Sequence, residues 1–250
     1  MKLEEFHDRQ IPPYAILSHT WGEREATYQD FCSWISDSAA DGLYPEPTHP
    51  GLEKIKSFAV WAHNSGHEHI WVDTCCIDKS SSAELSEAIN SMYKWYRNSQ
   101  ICCVYLVDVP PYGTNHDLEL LVGWERKFRE SRWLTRGWTL QEILAPKAVK
   151  FVANDWETTL DEEYIYGLIT EQTAIPRRAL EEFKPARWSI AQRMSWAASR
   201  ETTREEDRAY CLLGLFGVHM PLLYGEGSRA FLRLQEEILK TATDQSIFCW

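Results

Sequence analysis

The chain has 250 residues, enough for one large domain or two small ones around a sizeable core. Its 44% hydrophobic and 25% charged residues match an ordinary globular composition, with Trp the outlier at 12 copies that read as packing. A net charge of −11 excludes the basic face that DNA or RNA binding needs and argues against an anionic membrane surface.

Seven cysteines lack any disulfide-framework spacing. Cys75–Cys76 and Cys102–Cys103 are neighbours, no CxxC occurs, and reduced thiols in the cytoplasm are the expectation. Met1-Lys2-Leu3-Glu4-Glu5 lacks the apolar stretch of a signal peptide, and no run approaches the ~18 apolar residues of a membrane span. The apolar end at 246–250 reads as the edge of a longer chain.

In chain order, Tyr14–Ser18 after Pro12 and Pro13 predicts a buried strand, with His19-Thr20-Trp21-Gly22 as the loop at its end. Residues 42–51 read as a loop. Leu52, Ile55, Phe58, Ala59 and Ala62 recur at helical spacing up to a C-cap at Gly66. Ile70–Asp73 is the second strand. Ser81 and Glu84 have capping-box spacing ahead of a helix through Leu85, Ala88, Ile89, Met92 and Trp95. Ile101–Val107 is the third strand, apolar throughout. Leu118–Leu121 opens a helical region, and Arg136–Leu144 is a short helix stopped by Pro146. Ala148–Val152 is the fourth strand. Residues 161–171, 189–199, 205–217 and 228–241 all carry helical spacing. Continuous apolar strands alternating with helices imply an α/β fold, its central sheet mostly parallel and covered by helices on both faces. The expected division is a core at 1–155 and a helical C-terminal extension at 156–250 packed on it.

Three segments stand out in this order: Tyr14-Ala15-Ile16-Leu17-Ser18-His19-Thr20-Trp21-Gly22, Ile70-Trp71-Val72-Asp73-Thr74-Cys75-Cys76-Ile77-Asp78 and Arg136-Gly137-Trp138-Thr139-Leu140-Gln141-Glu142. On them the chain resembles the fungal heterokaryon-incompatibility (HET) domain. Glu206-Asp207-Arg208-Ala209-Tyr210-Cys211-Leu212-Leu213-Gly214 and Leu223-Tyr224-Gly225-Glu226-Gly227 look like the tail of many such proteins. Lys79 stands where the family usually has Gln. A more distant resemblance is to Toll/interleukin-receptor (TIR) domains. A first strand ends in Ser18, and Trp138 and Glu142 keep the spacing of a TIR Trp-Cys-x-x-Glu helix, with Thr139 in place of Cys. That kinship implies a flavodoxin-like strand order.

What the resemblance implies is fungal non-self recognition, a form of innate immunity ending in programmed cell death. Two mechanisms stay open: an NAD glycohydrolase, or a non-catalytic module that recruits partners on oligomerisation. The expected partners are a second copy of the chain or an NLR-type or other incompatibility protein. No cofactor is expected, NAD being the candidate substrate.

Glu142 is the candidate catalytic residue. A helix places it on one face with Trp138, and a carboxylate can stabilise an oxocarbenium-like ribose; an exposed helix Glu beside a core Trp is the bland alternative. Ser18, Trp21, Asp73 and Trp138 are the candidate substrate-binding residues, since loops at the C-terminal ends of parallel strands bind ligands in α/β folds. Hydrogen bonds within turns would equally account for Ser18, Asp73 and Asp78. A Ser18–His19 nucleophile and base is set aside, because adjacent strand residues point apart and no GxSxG elbow is present. His63, His67 and His69 are rejected as a zinc site, since Gly66 interrupts their spacing.

Overall fold

The computed structural model describes residues 1–6, 10–38, 46–112 and 118–249. Part of the loop expected at 42–51, and Trp250 at the apolar end, lie outside the described residues.

Five strands form one sheet in the order β2-β1-β3-β4-β5. They are β1 (Tyr14–His19), β2 (His69–Trp71), β3 (Ile101–Tyr105), β4 (Val149–Val152) and β5 (Thr159–Leu160). The first four pair in parallel; β5 pairs with β4 antiparallel. The order is that of flavodoxin-like doubly wound folds, and the antiparallel edge strand is a common departure from it.

Alternation along the strands supplies two buried faces. Ile16, Cys102, Val104 and Phe151 point into the larger cluster, with α3 (Ser82–Asn98) and the C-terminal helices. Ala15, Leu17, Cys103, Tyr105 and Val152 point into the smaller one, with α1 (Tyr28–Ser38) and α2 (Pro50–Asn64). β1 is buried on both faces, which is why its run is apolar without a break.

Several helices differ from expectation. The sequence reading missed α1, although Phe31, Trp34 and Ile35 stand at helical spacing. Helix α2 begins at Pro50, where proline's missing N–H costs nothing. The capping box of α3 is half formed. Ser81 accepts from the Glu84 N–H, while the Glu84 carboxylate takes the Asp78 N–H at 2.7 Å instead. Trp71 is only half-buried, because β2 is an edge strand; its ring packs on Trp95 at 5.1 Å.

The helix expected at 136–144 begins only at Thr139, and a separate short helix precedes it. After α4 (Leu118–Arg129), α5 (Arg132–Thr135) and α6 (Thr139–Leu144) flank a break at Arg136–Gly137. There the backbone pairs with Glu201, Gly137 N–H donating to its carbonyl at 2.8 Å and the Glu201 N–H donating to the Thr135 carbonyl at 2.6 Å. A Cβ on Gly137 would stand 2.5 Å from Thr202, so only glycine admits this approach.

Residues 156–249 are mostly helical: α7 (Glu162–Thr173), α8 (Arg177–Glu181), α9 (Ile190–Ser195), α10 (Asp207–Tyr210), α11 (Leu213–Phe216) and α12 (Arg229–Thr241). They share the larger cluster with the sheet. Among the described residues no helix is long and apolar enough to cross a membrane.

Candidate functional site

The C-terminal end of β1 delivers Ser18 into the interior and carries His19 and Trp21 towards the rim. Ser18 Oγ donates to Glu142 Oε2 at 2.5 Å and accepts from Trp133 Nε1 at 2.8 Å. Tyr96, beside them, donates to the Leu17 carbonyl at 2.8 Å. The short helix α6 aims Glu142 inwards, leaving it 8% exposed. Burial pushes its carboxyl up to about 8, and the negative charge of Asp73 adds to this; the bond from Ser18 and the charge of Arg136 pull the other way. Near pH 7 Glu142 is therefore mostly a neutral acid.

A second group forms around Asp73, just past β2 and 18% exposed at its side chain. Its Oδ1 lies 3.0 Å from His19 Nε2, its Oδ2 accepts from Trp21 Nε1 at 3.1 Å, and Lys79 Nζ stands 3.6 Å away. Burial opposes its ionisation, but Lys79, His19 and Arg136 together outweigh that and hold the carboxyl well below its usual range. Lys54 donates to His19 Nδ1 at 3.1 Å and pairs with Glu25. These partners assign the His19 proton to Nε2, as a donor to Asp73. With both ring nitrogens engaged, and Ser18 Oγ held by Glu142 and Trp133, the two neighbours form no nucleophile–base pair.

Trp21 is 39% exposed, with the Lys79 ammonium 3.8 Å and the Arg136 guanidinium 5.4 Å from its ring centroid. The charge of Arg136 favours ionisation of both Glu142 and Asp73. The site thus combines a buried neutral acid, an ionised acid near the surface, two cations and an aromatic face.

Of the expected residues, Ser18 and Glu142 meet directly, and Trp21 and Asp73 meet beside them. Trp138 goes elsewhere: its indole donates to Asp207 Oδ2 at 3.3 Å, and Asp207 also accepts from the Tyr224 hydroxyl at 2.9 Å. The tail motif anchors this region. Glu206 accepts from the Gly225 and Gly227 N–H groups at 2.7 and 3.1 Å. Asp78 accepts from Ser80 and Gln29, as a turn residue would. Sequence reasoning missed Trp133, Tyr96, Lys79 and Arg136 as site residues. Lys79 directly follows one of the three HET-like segments and Arg136 opens another, which was a usable signal. His67 bonds Gln100 and His69 faces Glu4; among the described residues no three His, Cys, Asp or Glu side chains are grouped to hold a metal.

Residues 14–119 match the family model for heterokaryon incompatibility protein (HET), and residues 229–250 match a domain of unknown function (DUF8212). Over 234 residues the chain is 45% identical to the vegetative incompatibility protein HET-E-1 of Podospora anserina, an alignment covering 92% of this chain and 16% of that protein. The chain therefore spans about a sixth of that relative's length. No solved structure matches it. The family model ends before Arg136–Glu142, so the match covers the Ser18 and Asp73 segments directly and the Glu142 segment only through the relative. The chain carries a heterokaryon incompatibility (HET) domain.

Proposed function

We propose that this chain is the effector part of a fungal vegetative-incompatibility protein, acting in the cytoplasm, and that it triggers regulated cell death by hydrolysing NAD at Glu142. The observation carrying this reading is the Ser18–Glu142 hydrogen bond, which holds a buried carboxyl at the sheet end where α/β folds bind ligands. In the reaction the bond between nicotinamide nitrogen and ribose C1′ breaks, and its electron pair leaves with nicotinamide. Water adds to C1′ and releases a proton. Glu142 in its ionised form stabilises the positive charge building on the ribose. The cationic nicotinamide ring favours that form on binding. Asp73 accepts from a ribose hydroxyl, Lys79 and Arg136 face the diphosphate, and Trp21 offers a ring for stacking. The TIR-like strand order and the Trp138–Glu142 spacing support the same reading.

The free protein holds Glu142 at about 8. Activity measured as kcat/KM should therefore rise about tenfold per pH unit below 8 and level off above it. Purified, concentrated protein incubated with NAD should release nicotinamide, and Glu142→Gln should not. The same variant, at equal abundance in a fungal host, should lose the toxicity of the parent.

One observation favours a second reading. Ser18 is fully buried and Glu142 nearly so, as in a sealed polar network that only holds the fold. The domain would then recruit an NLR-type or other incompatibility partner, or further copies of itself. Toxicity lost in Glu142→Gln, with no NAD turnover in the parent, would select it.

A further inference from the structure

Lys54 stands on α2, one turn after Gly51. A Cβ on Gly51 would lie 2.1 Å from the Ala26 nitrogen, so the first turn of α2 rests on the backbone of the segment that leaves β1. Lys54 is thereby set against the loop of residues 19–25, with its side chain 13% exposed. All three N–H bonds of its ammonium are used, and every acceptor belongs to that loop. They are His19 Nδ1 at 3.1 Å, the Thr20 carbonyl at 3.3 Å and the Glu25 carboxylate. Glu25 in turn accepts from the Gly22 N–H at 2.6 Å, which closes the turn carrying Trp21.

An ammonium has donors and no acceptor. His19 Nδ1 therefore offers its lone pair, and the one proton of the ring goes to Nε2, 3.0 Å from Asp73 Oδ1. The Trp21 indole donates to the other Asp73 oxygen at 3.1 Å. Both of these donors to Asp73 thus come from the loop that Lys54 holds. In an isolated His–carboxylate pair the carboxylate draws a second proton onto the ring near neutral pH. Here the other charged groups around the pair are Glu25 from the loop itself, and Lys79 and Arg136 on the Asp73 side. Tyr105, the register partner of His19 on β3, is kept protonated by burial and meets the Asn154 carbonyl at 3.2 Å. The His19 side chain is 2% exposed, so Lys54 and Asp73 rather than water settle its protons.

We propose that Lys54 is a positioning residue of this site: its ammonium takes the place of a second His19 proton, holds the ring neutral with its N–H on Asp73, and clasps the loop that presents Trp21. His19 is then withdrawn from proton transfer, and the Asp73 group keeps one arrangement across the range in which Glu142 titrates. The assignment goes beyond the NAD reading and is tested without it.

Nitrogen-15 spectra of the His19 ring, assigned through the backbone, report the proton on each nitrogen with no substrate present. At about pH 6, where an ordinary His is mostly charged, the parent chain should show Nε2 protonated and Nδ1 bare. Lys54→Met keeps the apolar stem and removes the charge and the donors; its His19 should carry a proton on both nitrogens at the same pH. Lys54→Arg, which keeps a charged donor, should restore a bare Nδ1. A Lys54 that only packs would leave the His19 protons alike in all three chains. A proton on Nδ1 of the parent overturns the proposal, whether or not the Lys54 variants fold. So does a bare Nδ1 in Lys54→Met, or an imidazolium in Lys54→Arg as well as in Lys54→Met.

Discussion

Glu142 is ionised at pH 7 in an unfolded chain, with an ordinary value of 4.5, but holds its proton in the fold up to about 8. Between those values the folded state binds one more proton than the unfolded state, so stability falls as pH rises through the window and is flat on either side of it. At about 1.4 kcal/mol per pH unit the full loss is roughly 5 kcal/mol. Glu142→Gln keeps the acceptor for Ser18 and has no such titration. The variant should match the parent near pH 4.5 and unfold at distinctly higher urea near pH 8; parallel pH profiles would show that Glu142 is ionised in the fold. Ser18 has the opposite character. Ser18→Ala leaves the buried Trp133 N–H without its acceptor and should cost about 1–3 kcal/mol, read as a lower urea midpoint with an unchanged slope.

At the scale of elements, the sheet was legible because β1 and β3 are continuous apolar runs, and such runs mean burial on both faces. Burial at β2 was not legible, since Ile70-Trp71-Val72 reads the same at a sheet's centre or its edge. Trp71→Ala should therefore cost about 2 kcal/mol, below the roughly 3–5 kcal/mol of a fully enclosed aromatic; a loss within that range in a urea titration would place Trp71 inside the core. The break between α5 and α6 was equally hidden, because its cause is Glu201, some sixty residues later. The meeting of Ser18 with Glu142, 124 residues apart, has no trace in local spacing; only the family resemblance of both segments pointed to it. Gly137→Ala would push Thr202 away and loosen the pairing with Glu201. We expect a loss of about 1–3 kcal/mol in a urea titration.

Across the whole molecule, the core and the helical extension are parts of one packing unit. Phe151 on the sheet meets Trp133 from before residue 155 and Tyr166 from after it, with ring centroids 6.0 and 5.9 Å apart. A Cβ on Gly214 would stand 2.0 Å from Tyr93 Cβ, so α11 lies directly against α3. Trp138 is tied to Asp207, and Leu160 on β5 covers the edge beside Phe151. The composition shift near residue 155, from strands to helices, marks a change of element type and leaves the apolar cluster undivided. Ending the chain at 155 would strip one side from that cluster and expose Phe128, Trp133, Leu140 and Phe151, each now at most 1% exposed. A chain that must leave this much apolar surface in water loses more than the few kcal/mol by which a domain of its size is stable. Residues 1–155 expressed alone should therefore aggregate, or keep far-UV helix signal while losing the near-UV signal of packed Trp residues. Residues 1–250 should keep both and melt in one cooperative transition. A soluble 1–155 fragment with native near-UV dichroism and a sharp melt would show that the sheet folds on its own.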